Sequence, residues 1–231
     1  MLIKGLEVDE FLEAAKDLRY LLGQEYPRPG SLTFIGNRYQ LSKSRREILN
    51  RGVYPGHEAL VRRRRLLSPE RIKGRAVAVD GYNVIITLES ALVGRDLIAC
   101  DDGPIRDAAW VSSSFRPSEA TDQALDLILN YLAGRGALSI VFFLYAPMAM
   151  SGELAVHIHS LISSRGLMGR ARTAASPKAE MRSFPGLVAT SDSVLIDLAA
   201  EPIDLAGHLI RERLPNLSLI SLNRELEALP E

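Results

Sequence analysis

The sequence lacks the cysteines and the long apolar runs that mark secreted and membrane-spanning proteins. Cys100 is the only cysteine among 231 residues, so the chain can form neither an internal disulfide nor a cysteine-rich zinc site. The most apolar run, ALSIVFFLYAPMAM, has 14 residues, whereas a membrane-spanning helix needs about 20. The first residues carry acids early and have no long apolar core, unlike a secretory signal. We therefore expect a cytoplasmic protein with no membrane partner.

Net charge is also absent, but the charges are unevenly divided along the chain. Lys and Arg total 28, as do Asp and Glu. Residues 1–75 hold 16 Lys or Arg and 9 Asp or Glu, whereas residues 76–231 hold 12 and 19. A basic N-terminal part followed by an acidic remainder is expected of a protein that has a polyanionic partner and a cation site. It is equally expected where the two parts have surfaces that attract each other. The sequence leaves both interpretations open.

Hydrophobic periodicity predicts a basic, mainly helical N-terminal module over residues 1–74. Helices are predicted over residues 6–22, 43–51 and 57–67, with Ser42 as the N-cap of the second. The segment LTFIGNRYQL, residues 32–41, is predicted to be a hairpin that turns at Gly36 and Asn37. The breaker residues between Pro69 and Gly74 mark the predicted boundary of this module.

Residues 75–231 alternate between strand and helix patterns, which predicts an α/β domain with a mostly parallel sheet. The run LSIVFFLY, residues 138–145, has no polar alternation and is typical of a central strand covered on both faces. A hairpin is predicted around Asp102 and Gly103. The other predicted strands cover residues 76–80, 186–192 and 217–222, and the predicted helices cover residues 118–133, 151–166, 193–200 and 203–213.

Acidic residues follow two of the predicted strands. Asp80 ends the strand AVAVD and Asp192 follows LVATS. The carboxyl ends of parallel strands lie at one edge of a sheet, so these carboxylates can meet there. They would repel each other unless a cation such as Mg²⁺, which prefers oxygen ligands, lay between them. The alternative is that each acid simply caps the helix that follows it.

Three segments resemble motifs of the PIN/NYN ribonuclease superfamily, especially its bacterial NYN-type branch. The segments are AVDGYNVI (78–85), ALDLILNYLAGRGALSIVFFLYAP (124–147) and LVATSDSVLIDLA (187–199), and their order agrees over roughly residues 76–200. The whole chain also resembles an archaeal-type family that joins a small basic N-terminal module to such a domain. The resemblance implies a PIN-like three-layer fold, bound Mg²⁺ or Mn²⁺, and cleavage of RNA.

Carried over residue by residue, the resemblance makes Asp80, Asn83 and Asp192 the catalytic residues. Leu144-Tyr145-Ala146 departs from the branch, which commonly has an Asp at the end of this central strand. Other acids are therefore candidates to complete the metal site. The predicted metal ligands are Asp80, Asp102, Asp122, Asp192 and Asp197.

Clustered arginines are the predicted contacts to RNA phosphates. Arginines that contact phosphates give salt-sensitive affinity without a choice of sequence. On a helix, four consecutive arginines fan around the circumference, so a solvated face or ion pairs to the acidic body is an equal alternative. The predicted nucleic-acid-binding residues are Arg62, Arg63, Arg64, Arg65 and Arg106.

The main hypothesis from the sequence is a metal-dependent endoribonuclease whose partner is RNA. The second is a non-catalytic protein that binds RNA or another protein on a degenerate PIN-like fold, which Tyr145 motivates. A phosphatase of small metabolites is a weaker third. The sequence leaves a homo-oligomer open, and it contains no P-loop and no dinucleotide-binding glycine motif.

Overall fold

A computed structural model of the chain describes residues 7–108 and 115–222. The helices are α1 (Glu7–Gly23), α2 (Arg28–Arg38), α3 (Lys43–Gly52), α4 (Gly56–Arg65), α5 (Gly81–Leu92), α6 (Glu119–Gly134), α7 (Ser151–Ser164), α8 (Pro177–Arg182), α9 (Ser193–Leu198) and α10 (Leu205–Arg213). The strands are β1 (Ala76–Asp80), β2 (Leu97–Ala99), β3 (Ile105–Asp107), β4 (Ser139–Tyr145), β5 (Gly169–Ala174), β6 (Leu187–Ala189), β7 (Glu201–Ile203) and β8 (Leu219–Ser221). A single 3₁₀ turn, Pro69–Ile72, precedes β1.

The described residues form two compact units. The first unit consists of residues 7–64, 95–108 and 218–222, and the second consists of residues 65–94 and 115–217. The sequence predicted two continuous domains that meet between residues 74 and 75. The observed division differs in three segments, because residues 65–74 belong to the second unit and residues 95–108 and 218–222 belong to the first. The hairpin of β2 and β3 and the last strand, β8, belong to the first unit because β2 pairs with both of its neighbours there.

The first unit contains helices α1–α4 and a three-stranded sheet of order β3-β2-β8. Strand β2 is antiparallel to β3, which confirms the predicted hairpin around Asp102 and Gly103. Ser42 accepts a hydrogen bond from the Arg45 amide at 3.4 Å and caps α3 as predicted. The core of this unit comes mainly from α1, α2, α3 and β2. Its fully buried members include Phe11, Leu18, Ile35, Ile48 and Ile98.

The hairpin predicted over residues 32–41 is wrong, because residues 28–38 form helix α2. Pro29 lies in the first turn, where its missing N–H costs no hydrogen bond. Ser31 and Ile35 are buried whereas Thr33 between them is exposed, so burial recurs after four residues, as on a helix, and not after two, as in a half-buried strand. Gly36 sits under the Arg46 side chain, which occupies the space that a Cβ would take. Glycine is therefore needed here because the Arg46 side chain packs closely against the helix, and not because the chain turns.

The second unit confirms the predicted α/β class with a mostly parallel sheet. Its five strands have the order β5-β4-β1-β6-β7, and every neighbouring pair is parallel. Val77, Ala78 and Val79 of the middle strand are fully buried, as expected for a strand covered on both faces. Helix α6 begins at Glu119, within one residue of its predicted start, and Thr121 Oγ1 accepts from the Ser118 amide at 2.9 Å there.

Two strands at the edges of this sheet were not predicted. Strand β5, GRARTA, carries exposed arginine and threonine in place of an apolar run, and β7 is only three residues long and contains Pro202. Edge strands pair on one side only, so neither needs the apolar residues of a central strand. Among the described residues, no helix is both long and apolar enough to cross a membrane.

Candidate active site

Asp80 lies at the carboxyl end of β1, beside the residue that follows β6. Val79 pairs with Ala189, so Asp80 and Thr190 leave the sheet at the same edge. Asp80 Oδ2 accepts hydrogen bonds from Thr190 Oγ1 at 2.8 Å and from Asn83 Nδ2 at 2.6 Å. Asp80 and Asn83 are therefore brought together as the sequence predicted, and Thr190 is added to them.

The alternative that Asp80 merely caps the next helix does not hold. Helix α5 begins directly after it, yet the Asp80 side chain makes no capping hydrogen bond. Gly81 follows because β4 passes close by: a Cβ there would lie 2.5 Å from Leu144 Cδ2 and 3.0 Å from the Phe143 carbonyl oxygen. The glycine lets the chain enter α5 at once, which turns the Asp80 carboxylate toward Asn83 and Thr190.

Asp192 both caps a helix and joins this cluster. Its Oδ1 accepts from the Leu195 amide at 2.9 Å at the start of α9, and its Oδ2 lies 2.8 Å from Lys178 Nζ. Its own amide donates to Thr190 Oγ1 at 3.0 Å. The Thr190 hydroxyl therefore connects the two acids, since it accepts from Asp192 and donates to Asp80. We call Asp80, Asn83, Lys178, Thr190 and Asp192 the strand-end cluster.

The surroundings of Asp80 make its ionisation costly. Burial raises the pKa of Asp80 from 3.8 to about 6. The hydrogen bonds from Asn83 and Thr190 lower the pKa, the nearby charge of Asp192 raises it, and Lys178 lowers it again by a smaller amount. Asp80 is 7% exposed, so water offsets little of this cost. A buried carboxyl that titrates near neutral pH is typical of a functional site, although structural networks produce such groups too.

The other predicted metal ligands do not complete this cluster. In residues 7–108 and 115–222, no group of three or more His, Cys, Asp or Glu side chains is arranged to hold a metal ion. Asp122 is exposed on α6 and contacts His157 Nε2 at 2.6 Å, and Asp197 is exposed on α9. Tyr145 is 46% exposed at the end of β4.

Asp102 and Arg106 pair with each other inside the first unit. Asp102 is fully buried, and its two carboxylate oxygens accept from Arg106 at 2.7 and 2.8 Å. Arg106 is 5% exposed and also donates to the Arg51 carbonyl at 3.1 Å. This bidentate pair accounts for both side chains structurally. Neither the metal role predicted for Asp102 nor the phosphate role predicted for Arg106 fits these contacts.

The four consecutive arginines of α4 point in different directions, and three of them contact protein groups. Arg62 is buried against Tyr54 and pairs with Glu58 at 3.1 Å. Arg63 donates to the Asp101 carbonyl at 2.6 Å, and Arg65 donates to two carbonyl oxygens around the end of α9. Arg64 is exposed. The interpretation of this run as ion pairs and packing contacts therefore fits better than a phosphate-binding row.

Sequence reasoning missed two members of the strand-end cluster. Thr190 stands in the quoted motif LVATSD, and its position one residue beyond β6 could have indicated that its hydroxyl reaches the same edge as Asp80. Lys178 gives no such signal, because a lone lysine in a short polar segment is ordinarily a surface residue. Only the fold brings α8 against the start of α9, where Asp192 lies.

Comparisons with known proteins find two domain families and one relative. Residues 69–208 match the domain of unknown function DUF5616, and residues 10–65 match the protein of unknown function DUF434. The chain is 31% identical over 201 residues to "Uncharacterized protein MJ0935" of Methanocaldococcus jannaschii, covering 83% of this chain and 96% of that protein. No solved structure matches the chain. The match to DUF5616 contains the whole strand-end cluster.

Proposed function

The chain belongs to the DUF5616 family, a domain of unknown function, and we propose that it is a cytoplasmic, metal-dependent endoribonuclease. The observation that carries this proposal is the pair of strand-end acids, Asp80 and Asp192, joined through the Thr190 hydroxyl. The resemblance of AVDGYNVI and LVATSD to PIN/NYN motifs supports the choice of RNA as substrate. The reaction is hydrolysis of a phosphodiester bond.

The surroundings of Asp80 and Asp192 suit one divalent cation. Asp80 Oδ1 receives no hydrogen bond from the residues that the structure describes, and the carboxyl group is buried beside the charge of Asp192. Mg²⁺ and Mn²⁺ are commonly held by one or two carboxylates together with water and substrate phosphate, so two acids suffice. Such an ion, when bound, lowers the pKa of a coordinated water and offsets charge on the phosphate. Two acids do not suit a two-metal site.

The chain's own residues supply an oriented carboxylate and a positive charge. A pKa of about 6 leaves Asp80 mostly ionised at pH 7, and the ionised carboxylate is the form that holds a divalent cation. Asn83 and Thr190 both hold Oδ2, which fixes the carboxylate plane and leaves Oδ1 for the cation. Lys178 balances Asp192 and brings a cation to the edge of the site, where a phosphate oxygen would lie.

Cleavage of a mixed-sequence RNA pool in Mn²⁺ tests the proposal. We expect the native protein to cleave and EDTA to stop it. Asp80→Asn should lose cleavage by about 100-fold or more, because the variant lacks a carboxylate ligand of the cation, and loss of even an outer-shell partner of a metal costs about 10- to 100-fold. Asp122→Asn and Asp197→Asn are matched controls, because they change exposed acids of the same unit, and they should retain activity within about twofold. A native protein without activity, or an unaffected Asp80→Asn variant, contradicts the proposal.

A second candidate is a non-catalytic RNA-binding protein on the same fold. Two observations favour this candidate. Tyr145 stands in place of the strand-end acid, and, among the residues that the structure describes, only two acids lie where a larger cluster was predicted. This candidate predicts RNA binding that persists in EDTA and in the Asp80→Asn variant, with no cleavage by either protein. The cleavage assay and a binding assay on the same samples therefore separate the two functions.

A further inference from the structure

One stretch of the second unit is strongly basic. Residues 65–94 and 115–217 hold 13 Lys or Arg and 13 Asp or Glu, yet residues 165–182 alone contain five of those cations and one of those acids. This stretch forms β5 and α8. It reaches the strand-end cluster directly, because Lys178 of α8 contacts Asp192 at 2.8 Å. A concentration of one sign of charge beside a site raises the local concentration of oppositely charged ligands.

The edge strand β5 presents two arginines on one face. Arg170 and Arg172 are two residues apart, so both side chains leave the same face of the sheet. That face is the one covered by α8, because the Arg172 guanidinium donates to Glu180 at 2.7 Å and lies 4.6 Å from the centroid of the Phe143 ring. Arg170 is exposed, and the Arg172 side chain is 40% exposed. The two cations are about 7 Å apart along the strand, a separation that suits consecutive backbone phosphates.

Helix α8 extends this basic face toward the acids. Lys178 and Arg182 are four residues apart and are therefore neighbours on one side of the helix. The Lys178 side chain is 50% exposed, and Arg182 is exposed. Arg170 and Arg182 make no hydrogen bond or ion pair with any residue that the structure describes. These two cations remain available to a ligand, in contrast to three of the four arginines of α4.

We infer that a basic surface formed by Arg170, Arg172, Lys178 and Arg182 binds the backbone of single-stranded RNA beside Asp80 and Asp192. The choice of RNA rests on the proposed ribonuclease function, whereas the location rests on charge and exposure. Exposed cations that contact phosphates add affinity without a choice of sequence, and that affinity falls as salt rises. The surface therefore positions RNA for cleavage and leaves the choice of sequence to other groups.

The test compares the native protein with the double variant Arg170→Gln/Arg182→Gln. Binding of a fluorescein-labelled, mixed-sequence RNA 20-mer is measured by anisotropy in EDTA, from 50 to 300 mM salt, so that cleavage does not interfere. Losing two phosphate contacts should lower the slope of log K against log salt by about 1.4, which corresponds to about 25-fold weaker binding at 0.1 M salt. The matched control is Arg71→Gln/Lys73→Gln, which neutralises two exposed cations just before β1, at the opposite end of that strand from Asp80.

The control variant should bind within about twofold of the native protein, since it leaves the basic surface intact. Equal binding by the native protein and the Arg170/Arg182 variant overturns the inference, as does an equal loss in both variants or no binding by the native protein. Both changes are on exposed side chains, and an unchanged melting temperature verifies folding. A native protein that binds RNA through this surface but never cleaves it refutes the ribonuclease proposal and leaves the inference standing.

Discussion

Asp80→Asn is expected to stabilise the fold at neutral pH while it removes activity. The substitution deletes a buried charge and keeps an oxygen that can accept from Asn83 and Thr190. Burial raises the pKa of Asp80 from 3.8 to about 6, so the folded state holds its proton more tightly than the unfolded state does. The stability gained from that proton is complete below pH 3.8 and is lost as the pH rises through 6. The Asp80→Asn variant does not lose stability in this way as the pH rises, because asparagine does not ionise.

The magnitude follows from the two pKa values. Their separation corresponds to about 3 kcal/mol in the free energy of unfolding, at about 1.4 kcal/mol for each pH unit. Relative to its value at low pH, the excess stability of the variant should therefore be below about 1 kcal/mol at pH 4, about 2 kcal/mol at pH 5 and about 3 kcal/mol at pH 8. The increase should level off above pH 7, once Asp80 is ionised in both states.

Urea denaturation of both proteins at pH 4, 5, 6, 7 and 8, in EDTA, measures this difference directly. Taking the difference cancels the titration of every other group. Adding Mn²⁺ at pH 8 should then stabilise the native protein and leave the variant unchanged, because a ligand stabilises only the state that binds it.

A difference that does not change between pH 4 and 8 would refute the account of Asp80, since it would mean that burial does not shift its ionisation. The account would also be refuted if the variant were less stable than the native protein by the same amount at pH 4 and at pH 8. Stabilisation of both proteins by Mn²⁺ would place the cation elsewhere in the chain.

Three further substitutions have distinct expected outcomes. Asp102→Asn removes the partner of buried Arg106 and should lower the free energy of unfolding by about 3–5 kcal/mol in urea denaturation. Gly81→Ala forces a methyl group to 2.5 Å from Leu144 and should cost about 1–3 kcal/mol in the same measurement. Thr190→Val removes a hydrogen bond to the ionised carboxylate at the end of β1, so the pH dependence of stability should shift to higher pH. An unchanged pH profile for Thr190→Val would contradict the role given to its hydroxyl.

The parts of the fold that follow from local patterns were predictable from the sequence. The helix capped by Ser42, the unbroken apolar run of β4 and the Asp102-Gly103 turn each carry their own signal. Helix α2 was not predictable in this way, because its glycine and asparagine suggest a turn until the neighbouring Arg46 side chain is known. Strand β8 was predicted as a strand, but its partner β2 lies 120 residues earlier in the sequence, and local periodicity does not encode such pairings.

The candidate site was predictable from the sequence only where its acids follow predicted strands. Asp80 and Asp192 follow adjacent parallel strands, and the rule that such ends share one edge brought them together. Asp102 follows no strand of that sheet, and its role is set by Arg106, four residues away. Lys178 enters through a tertiary contact of α8. The run of four arginines was misinterpreted for a related reason, because consecutive arginines on a helix point into different surroundings.

A crystal of the protein soaked in Mn²⁺ tests the central claim most directly. The account predicts an anomalous peak at the carboxyl ends of β1 and β6, within about 2.5 Å of oxygen atoms of both Asp80 and Asp192. Lys178 should then have moved away from Asp192 or lie beside a water bound to the metal. A saturating soak without a peak there, with Lys178 still 2.8 Å from Asp192, would contradict it.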